Sequence, residues 1–217
     1  MANVRYNPLM HVLVYGGTFD PIHNGHLITS RAARELLGAD LVLLIPAWVS
    51  PLKKGEPPSA TPRQRLEMIR LAIKDDSDFA ADDCEIVRGT QGQPSYTIDT
   101  LEALRERRPS DRFTLLLGQD QLAKFHVWHR VDDILAQFDI ALMGRPGNSP
   151  NTALSAVNTT LGAAVAAKLE SCFLPTPLIE ISATTIRSRL RARLPISHML
   201  PHPVAAYIAA RDMYSAP

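Results

Sequence analysis

The chain has 217 residues, 46% hydrophobic and 21% charged, enough apolar material for a sizeable core and too much for a disordered coil. Lys and Arg number 23 against 22 Asp and Glu, which excludes a nucleic-acid coat or a polybasic membrane anchor, so any anion site has to be local. Cys84 and Cys172 lack Cys-x-x-Cys spacing and suggest no disulfide framework, and the apolar run Leu9 to Tyr15 is too short for a membrane span and unlike a signal peptide. The expectation is a cytoplasmic protein folded as one domain over residues 1–217.

The first predicted element is a buried parallel strand, His11 to Tyr15, followed by Gly16-Gly17-Thr18-Phe19-Asp20-Pro21-Ile22-His23-Asn24-Gly25-His26. Leu27 to Leu37 then carries apolar residues at helical spacing, with Gly38 as a stop. The stretch between is a strand-to-helix turn. Adjacent glycines let the backbone approach a ligand, and a helix start offers free N–H groups and a positive dipole end that favour phosphate. His23 and His26 are three apart, so both rings project from one face if the helix has started by His23. A metal pair is disfavoured because no His-Glu-x-x-His arrangement occurs.

Asp40 to Pro46 reads as a second buried strand, completing a βαβ unit whose ligand crevice lies at the carboxyl ends of the strands. No Gly-x-Gly-x-x-Gly fingerprint is present, which argues against a dinucleotide cofactor held in the usual way. Pro46 to Ala60 is a long loop with four prolines and the pair Lys53-Lys54; composition alone favours a solvated surface loop. Thr61-Pro62-Arg63-Gln64 is a strong helix start, and Leu66, Ile69, Leu71 and Ile73 supply its apolar stripe. The five aspartates of Asp75 to Asp83 read as a solvated turn, and Cys84 to Val87 as a strand. Ser95 or Thr97 can cap a helix reaching Arg107.

Arg112 to Leu117 is the next buried strand, and Gly118-Gln119-Asp120 opens a helix into the same crevice. Trp128 reads as core from its neighbours alone. A helix over Asp132 to Gln137, a strand over Phe138 to Met143 and a break over Gly144 to Asn151 follow, then an alanine-rich stretch, Ala153 to Leu169, containing a helix. Ile179 to Ile181 is expected to be a short strand, with Ser182 as N-cap of a helix bearing Ile186 and Leu190. Ser182, Thr184 and Arg187 stand at that helix start, where they can meet phosphate oxygens, although a capped surface helix or a weak RNA patch explains the arginines equally well. Small helices close the chain.

Gly-Gly-Thr-Phe-Asp-Pro-x-His-x-Gly-His resembles the signature of the nucleotidyltransferase family that shares His-x-Gly-His with class I aminoacyl-tRNA synthetases, and within it the nicotinate-nucleotide adenylyltransferases. Three further stretches match in family order: Ser95-Tyr96-Thr97-x-x-Thr100-Leu101, then Gly118-x-Asp120 with Trp128, then Ile181-Ser182-x-Thr184-x-Ile186-Arg187. The resemblance covers nearly the whole chain apart from residues 146–167. It implies an α/β, Rossmann-like, doubly wound and mostly parallel sheet with small C-terminal helices. The implied reaction is AMP transfer from ATP to nicotinate mononucleotide, with Mg2+ arriving on the ATP and taking few protein ligands.

By the same resemblance, His23, His26 and Arg187 are the catalytic residues. Gly16, Gly17, Thr18, Phe19, Gly118, Asp120, Ser182 and Thr184 hold ATP, and Lys53 or Lys54 meets its outer phosphates. Ser95, Tyr96, Thr97 and Trp128 hold the acceptor, the backbone near Tyr96 and Thr97 taking the nicotinate carboxylate and Trp128 stacking on the pyridine. No nucleic acid or membrane partner is expected, and the sequence leaves a homo-oligomer open. The rival readings are a sister transferase for phosphopantetheine or a cytidylyl acceptor, which should lack the Ser95 start and Trp128, and a non-catalytic nucleotide or RNA binder, which needs no histidine pair.

Overall fold

A computed structural model describes residues 9–49, 58–147 and 149–215; Lys53 and Lys54 lie outside them. Among the described residues six strands form one parallel sheet: β1 (His11–Gly17), β2 (Leu41–Pro46), β3 (Phe79–Ala81), β4 (Arg112–Gly118), β5 (Asp139–Met143) and β6 (Phe173–Leu174). Their order across the sheet is β3-β2-β1-β4-β5-β6, so the chain builds outward from β1 in one direction, then returns and builds in the other. The expected doubly wound α/β sheet is present, and every pairing in it is parallel.

The strands carry continuous apolar runs because both faces are covered. Leu13, Tyr15, Val42, Leu44 and Leu116 face one side. There they meet α1 (Asn24–Leu37), α2 (Pro62–Ala72), α8 (Ala183–Arg191) and α9 (His202–Ala210), with Met68, Ile69, Ile186 and Ile208 fully buried. Val12, Val14, Leu43, Leu115 and Leu117 face the other. They pack under α4 (Thr97–Arg107), a 3-10 segment (Gln119–Val127), α5 (Val131–Gln137), α6 (Pro150–Leu161) and α7 (Ala163–Glu170). No helix among the described residues is long and apolar enough to cross a membrane.

Several elements depart from the sequence expectation. Cys84 to Val87 is not a strand but the start of α3 (Cys84–Thr90): the strand is β3, just upstream, and the Asp82 carboxylate turns the chain by accepting the Cys84 N–H at 2.8 Å. Ile179 to Ile181 forms no strand; the sheet edge there is taken by β6, at Phe173–Leu174. Gly118 opens the 3-10 segment rather than an α-helix. The alanine-rich stretch is two helices, broken at Gly162, whose φ of 91° is left-handed. In α1 the buried face is Gly25, Thr29, Ser30 and Ala33, while Leu36 is half exposed. The Thr29 and Ser30 hydroxyls satisfy themselves on the Gly25 and His26 carbonyls at 2.7 Å each, so small polar residues can be buried there. Asp76 and Asp78 serve the same helix, pairing with Arg31 and Arg34.

Candidate functional site

The loops that leave β1, β2, β4 and β5 at their carboxyl ends line one cleft of about 1150 Å3. It lies where the strand order reverses, the expected crevice of a doubly wound sheet. Every predicted site residue among the described residues lines it: Gly16 to Phe19, His23 and His26 from the end of β1 into α1, Ser95 to Thr97 at the start of α4, Gly118, Asp120 and Trp128 from the end of β4 onward, and Ser182, Thr184 and Arg187 at the start of α8. Residues separated by up to 171 positions are thus gathered around one space.

At Gly16 no protein atom lies within 4 Å of where a Cβ would stand, so the missing side chain leaves that room to a ligand. Phe19, left-handed at φ 49° and 2% exposed, turns its ring edge toward His26 at 5.1 Å. His23 is the N-cap of α1 and His26 its third residue. Each ring Nδ1 accepts the other residue's backbone N–H at 3.3 Å, and the rings stack with centroids 3.6 Å apart. Gly25 permits this, since a Cβ there would stand 3.0 Å from His23 Nδ1.

Burial, with Arg145 adding repulsion, pushes His23 down to about 3. Burial, then His23 and Arg145, hold His26 well below the usual histidine range. Both imidazoles are therefore neutral near pH 7. With Nδ1 an acceptor in each, the proton sits on Nε2, where it can be donated to an anionic oxygen.

Facing the histidines is the start of α8. Ser182 caps it, its Oγ accepting the Thr185 N–H at 3.1 Å, and Thr184 Oγ1 lies 3.4 Å from Arg187. Arg187 is held by the Asp20 main-chain carbonyl at 2.7 Å. On another wall α4 begins at Tyr96, which gives its helix no side-chain cap. Neither Ser95 nor Thr97 caps it as expected: Tyr96 holds the N-cap position, Thr97 is already the first helical residue, and the Ser95 hydroxyl accepts the Trp48 N–H at 3.1 Å. The first N–H groups of α4 are thus without a side-chain acceptor beside the cleft. Trp128 packs edge-on against Phe125 at 5.2 Å, and its buried Nε1 meets no acceptor among the described residues.

Sequence reasoning missed four participants. Arg65, fully buried, donates to the carbonyls of Thr18 and Ala47 at 2.6 Å and of Trp48 at 3.1 Å, fixing the signature turn to the end of β2. Its place beside Leu66, Met68 and Ile69 on the buried face of α2 was the available signal. Arg145 follows β5 as Asp120 follows β4, and the two pair at 3.2 Å. Glu85, in the misassigned segment, is buried and accepts the Thr100 hydroxyl at 2.8 Å; burial raises its carboxyl pKa. His129 stacks on Tyr96 with centroids 4.2 Å apart. No group of three or more His, Cys, Asp or Glu able to hold a metal occurs among the described residues.

A family model described as cytidylyltransferase-like matches residues 14–189. A curated protein of Bacillus pumilus, named probable nicotinate-nucleotide adenylyltransferase, is 34% identical over 94% of this chain and 97% of its own length. One of the same name from Herpetosiphon aurantiacus is 36% identical over 96% of this chain and all of its own. Among solved structures, Plasmodium falciparum nicotinic acid mononucleotide adenylyltransferase complexed with NaAD superposes with a TM-score of 0.70 at 17% identity, covering 94% of this chain and 97% of that one, a likeness of fold. The four motifs, the cleft they share and the full-length relatives agree: this chain belongs to the nicotinate-nucleotide adenylyltransferase family, within the cytidylyltransferase-like proteins.

Proposed function

We propose that this protein transfers the AMP moiety of ATP to nicotinate mononucleotide, giving nicotinate adenine dinucleotide and pyrophosphate, a step of NAD biosynthesis. The observation that carries the reading is the reciprocal histidine pair: two neutral imidazoles, each with its remaining proton on Nε2, in a cleft also reached by the starts of α4 and α8.

An oxygen of the acceptor phosphate attacks the α-phosphorus of ATP. The bond from that phosphorus to the bridging oxygen breaks, and the electron pair leaves with pyrophosphate. The attacking phosphate is largely a dianion near pH 7, so no general base is required, and catalysis rests on positioning and charge stabilisation. His23 and His26 donate from Nε2 to the α- and β-phosphate oxygens as charge moves toward the leaving group. The start of α8, with Ser182 and Thr184, cradles the triphosphate, and Arg187 meets its outer oxygens. The turn from Gly16 to Phe19 admits the phosphates closely, and the Gly118 to Asp120 loop holds the adenosine side. The ATP carries Mg2+ as its counterion.

On the acceptor side the uncapped N–H groups of α4 take the nicotinate carboxylate, and Trp128 stacks on the pyridine. A helix start favours an anion over a neutral carboxamide, which is the physical ground for choosing the acid.

The test is pyrophosphate release with ATP and Mg2+, offering nicotinate mononucleotide, nicotinamide mononucleotide and phosphopantetheine in parallel. Preference for the first, lost in His23→Ala and His26→Ala, is expected. Release with phosphopantetheine alone, or with none of the three, overturns the reading.

A further inference from the structure

Arg187 can serve a triphosphate only if its guanidinium is not claimed by a protein carboxylate. The carboxylate beside it is that of Asp20, which is 4% exposed. Arg187 Nη1 donates to the Asp20 main-chain carbonyl at 2.7 Å, yet stands 3.9 Å from Asp20 Oδ2, beyond hydrogen-bond reach. The carboxylate is occupied elsewhere. Oδ2 accepts the Ser59 N–H at 2.8 Å, and Oδ1 accepts the Ala60 N–H at 3.0 Å and the Tyr214 hydroxyl at 2.7 Å.

Tyr214 comes from the far end of the chain, after α9, and is buried. The chain reaches it through left-handed backbone at Asp212 (φ 47°) and again at Tyr214 itself (φ 64°). Left-handed backbone at a tyrosine is costly and persists only where surrounding contacts impose it. Burial and the neighbouring Asp20 charge push the phenol pKa up, so the hydroxyl stays protonated and acts as a donor.

We propose that Tyr214 is a positioning residue for the triphosphate site: its hydroxyl, with the Ser59 and Ala60 amides, saturates the Asp20 carboxylate and so keeps Arg187 available to phosphate. The inference rests on the role given to Arg187 in the proposed reaction. An ionised carboxylate has about four acceptor positions, and one that loses a donor turns to the nearest cation. Here the cation beside it is Arg187, whose Nη1 stands 3.9 Å from Oδ2, on the carboxylate whose Oδ1 the tyrosine bonds. Without the Tyr214 hydroxyl, Oδ1 is one donor short, and the carboxylate is expected to draw Arg187, now 3.9 Å from Oδ2, into an ion pair that competes with ATP.

The experiment is a double-mutant cycle on the full chain, with Y214F, R187A and the double variant, each checked by a melting curve before steady-state kinetics. In Y214F the KM for ATP is expected to rise about fivefold or more while the KM for nicotinate mononucleotide stays put, and in the R187A background the same substitution adds nothing. Unchanged kinetics in Y214F, or equal losses in both backgrounds, overturns the proposal, because a merely structural tyrosine acts independently of Arg187. Should Y214F fail to fold, the pair D20N and D20N/Y214F carries the test: with no carboxylate left to hold back, the second substitution is expected to leave ATP KM as in D20N, and a further rise overturns the proposal. A wild-type protein that releases no pyrophosphate overturns the reaction itself, a result distinct from an active wild type with an indifferent Y214F.

Discussion

His23 and His26 hold each other: the backbone N–H of each donates to the ring Nδ1 of the other, at 3.3 Å in both directions. The arrangement is a capping box built from two imidazoles where Ser or Thr and Glu are usual. It gives the His23 N–H an acceptor at the helix start, gives the His26 N–H a second one beside the His23 carbonyl at 2.9 Å, and in the same bonds fixes the tautomer of both rings. Helix initiation and the presentation of two Nε2 protons are one structural fact.

This separates stability from chemistry in a testable way. Asn is among the best N-cap residues, so His23→Asn keeps the start of α1 intact. The variant is expected to melt within a few degrees of wild type, while turnover falls about 100- to 1,000-fold, as when an oxyanion donor is removed. Thermal melting and pyrophosphate release on the same sample check it.

The pair also sets an acid limit. In the unfolded chain a histidine titrates near its ordinary value of 6.5, whereas burial holds His23 at about 3 and His26 well below the usual range. Between those values the unfolded state binds more protons than the folded one, so the stability these groups contribute is complete above about pH 6.5 and is lost as pH falls toward 3. Wild type is expected to lose more melting temperature than His23→Asn over that window. Parallel slopes would show that His23 is not buried neutral.

Arg65 contributes through the backbone rather than through a carboxylate. It bonds three carbonyls, of Thr18, Ala47 and Trp48, that meet at the base of the signature turn. Arg65→Met leaves those carbonyls without this donor and is expected to cost about 3 kcal/mol of unfolding free energy. Arg65→Lys should recover only part, because an ammonium lacks the fork that reaches three acceptors. Urea unfolding of the three proteins decides it.

Trp128→Ala is expected to raise the KM for nicotinate mononucleotide about tenfold or more, the loss of one ring-stacking contact, with little change in the KM for ATP. Equal changes in both constants would place the tryptophan elsewhere than the acceptor pocket.

The sheet and the motif loops were legible in the sequence because they depend on local signals. Apolar runs marked β1, β2, β4 and β5, and Thr61-Pro62 and Ser182 marked helix starts that the structure bears out. What was not legible depends on partners distant in sequence. Ser95 looks like a cap until Trp48, 47 residues away, takes its hydroxyl. Cys84 to Val87 has strand composition, but β2 is already paired by Phe79–Ala81. Arg65 is a surface residue by composition and a core residue by contact. Asp20 reads as one letter of a motif, and only the fold shows that it joins the signature turn to Ser59, Arg187 and Tyr214.

The position of β1 has a consequence for how the molecule is made. It is the first strand of the described chain and it lies inside the sheet, with β2 on one edge and β4 on the other. Its β2 edge is covered by residues 41–46, but its other edge waits for residues 112–115. Parallel pairing across so long an interval is slow to form, and until then an apolar strand carrying Val12, Val14 and Tyr15 presents unpaired backbone to any similar edge. Refolding yield should therefore fall steeply with protein concentration, and a chain stalled before β4 has emerged is the species most in need of a chaperone.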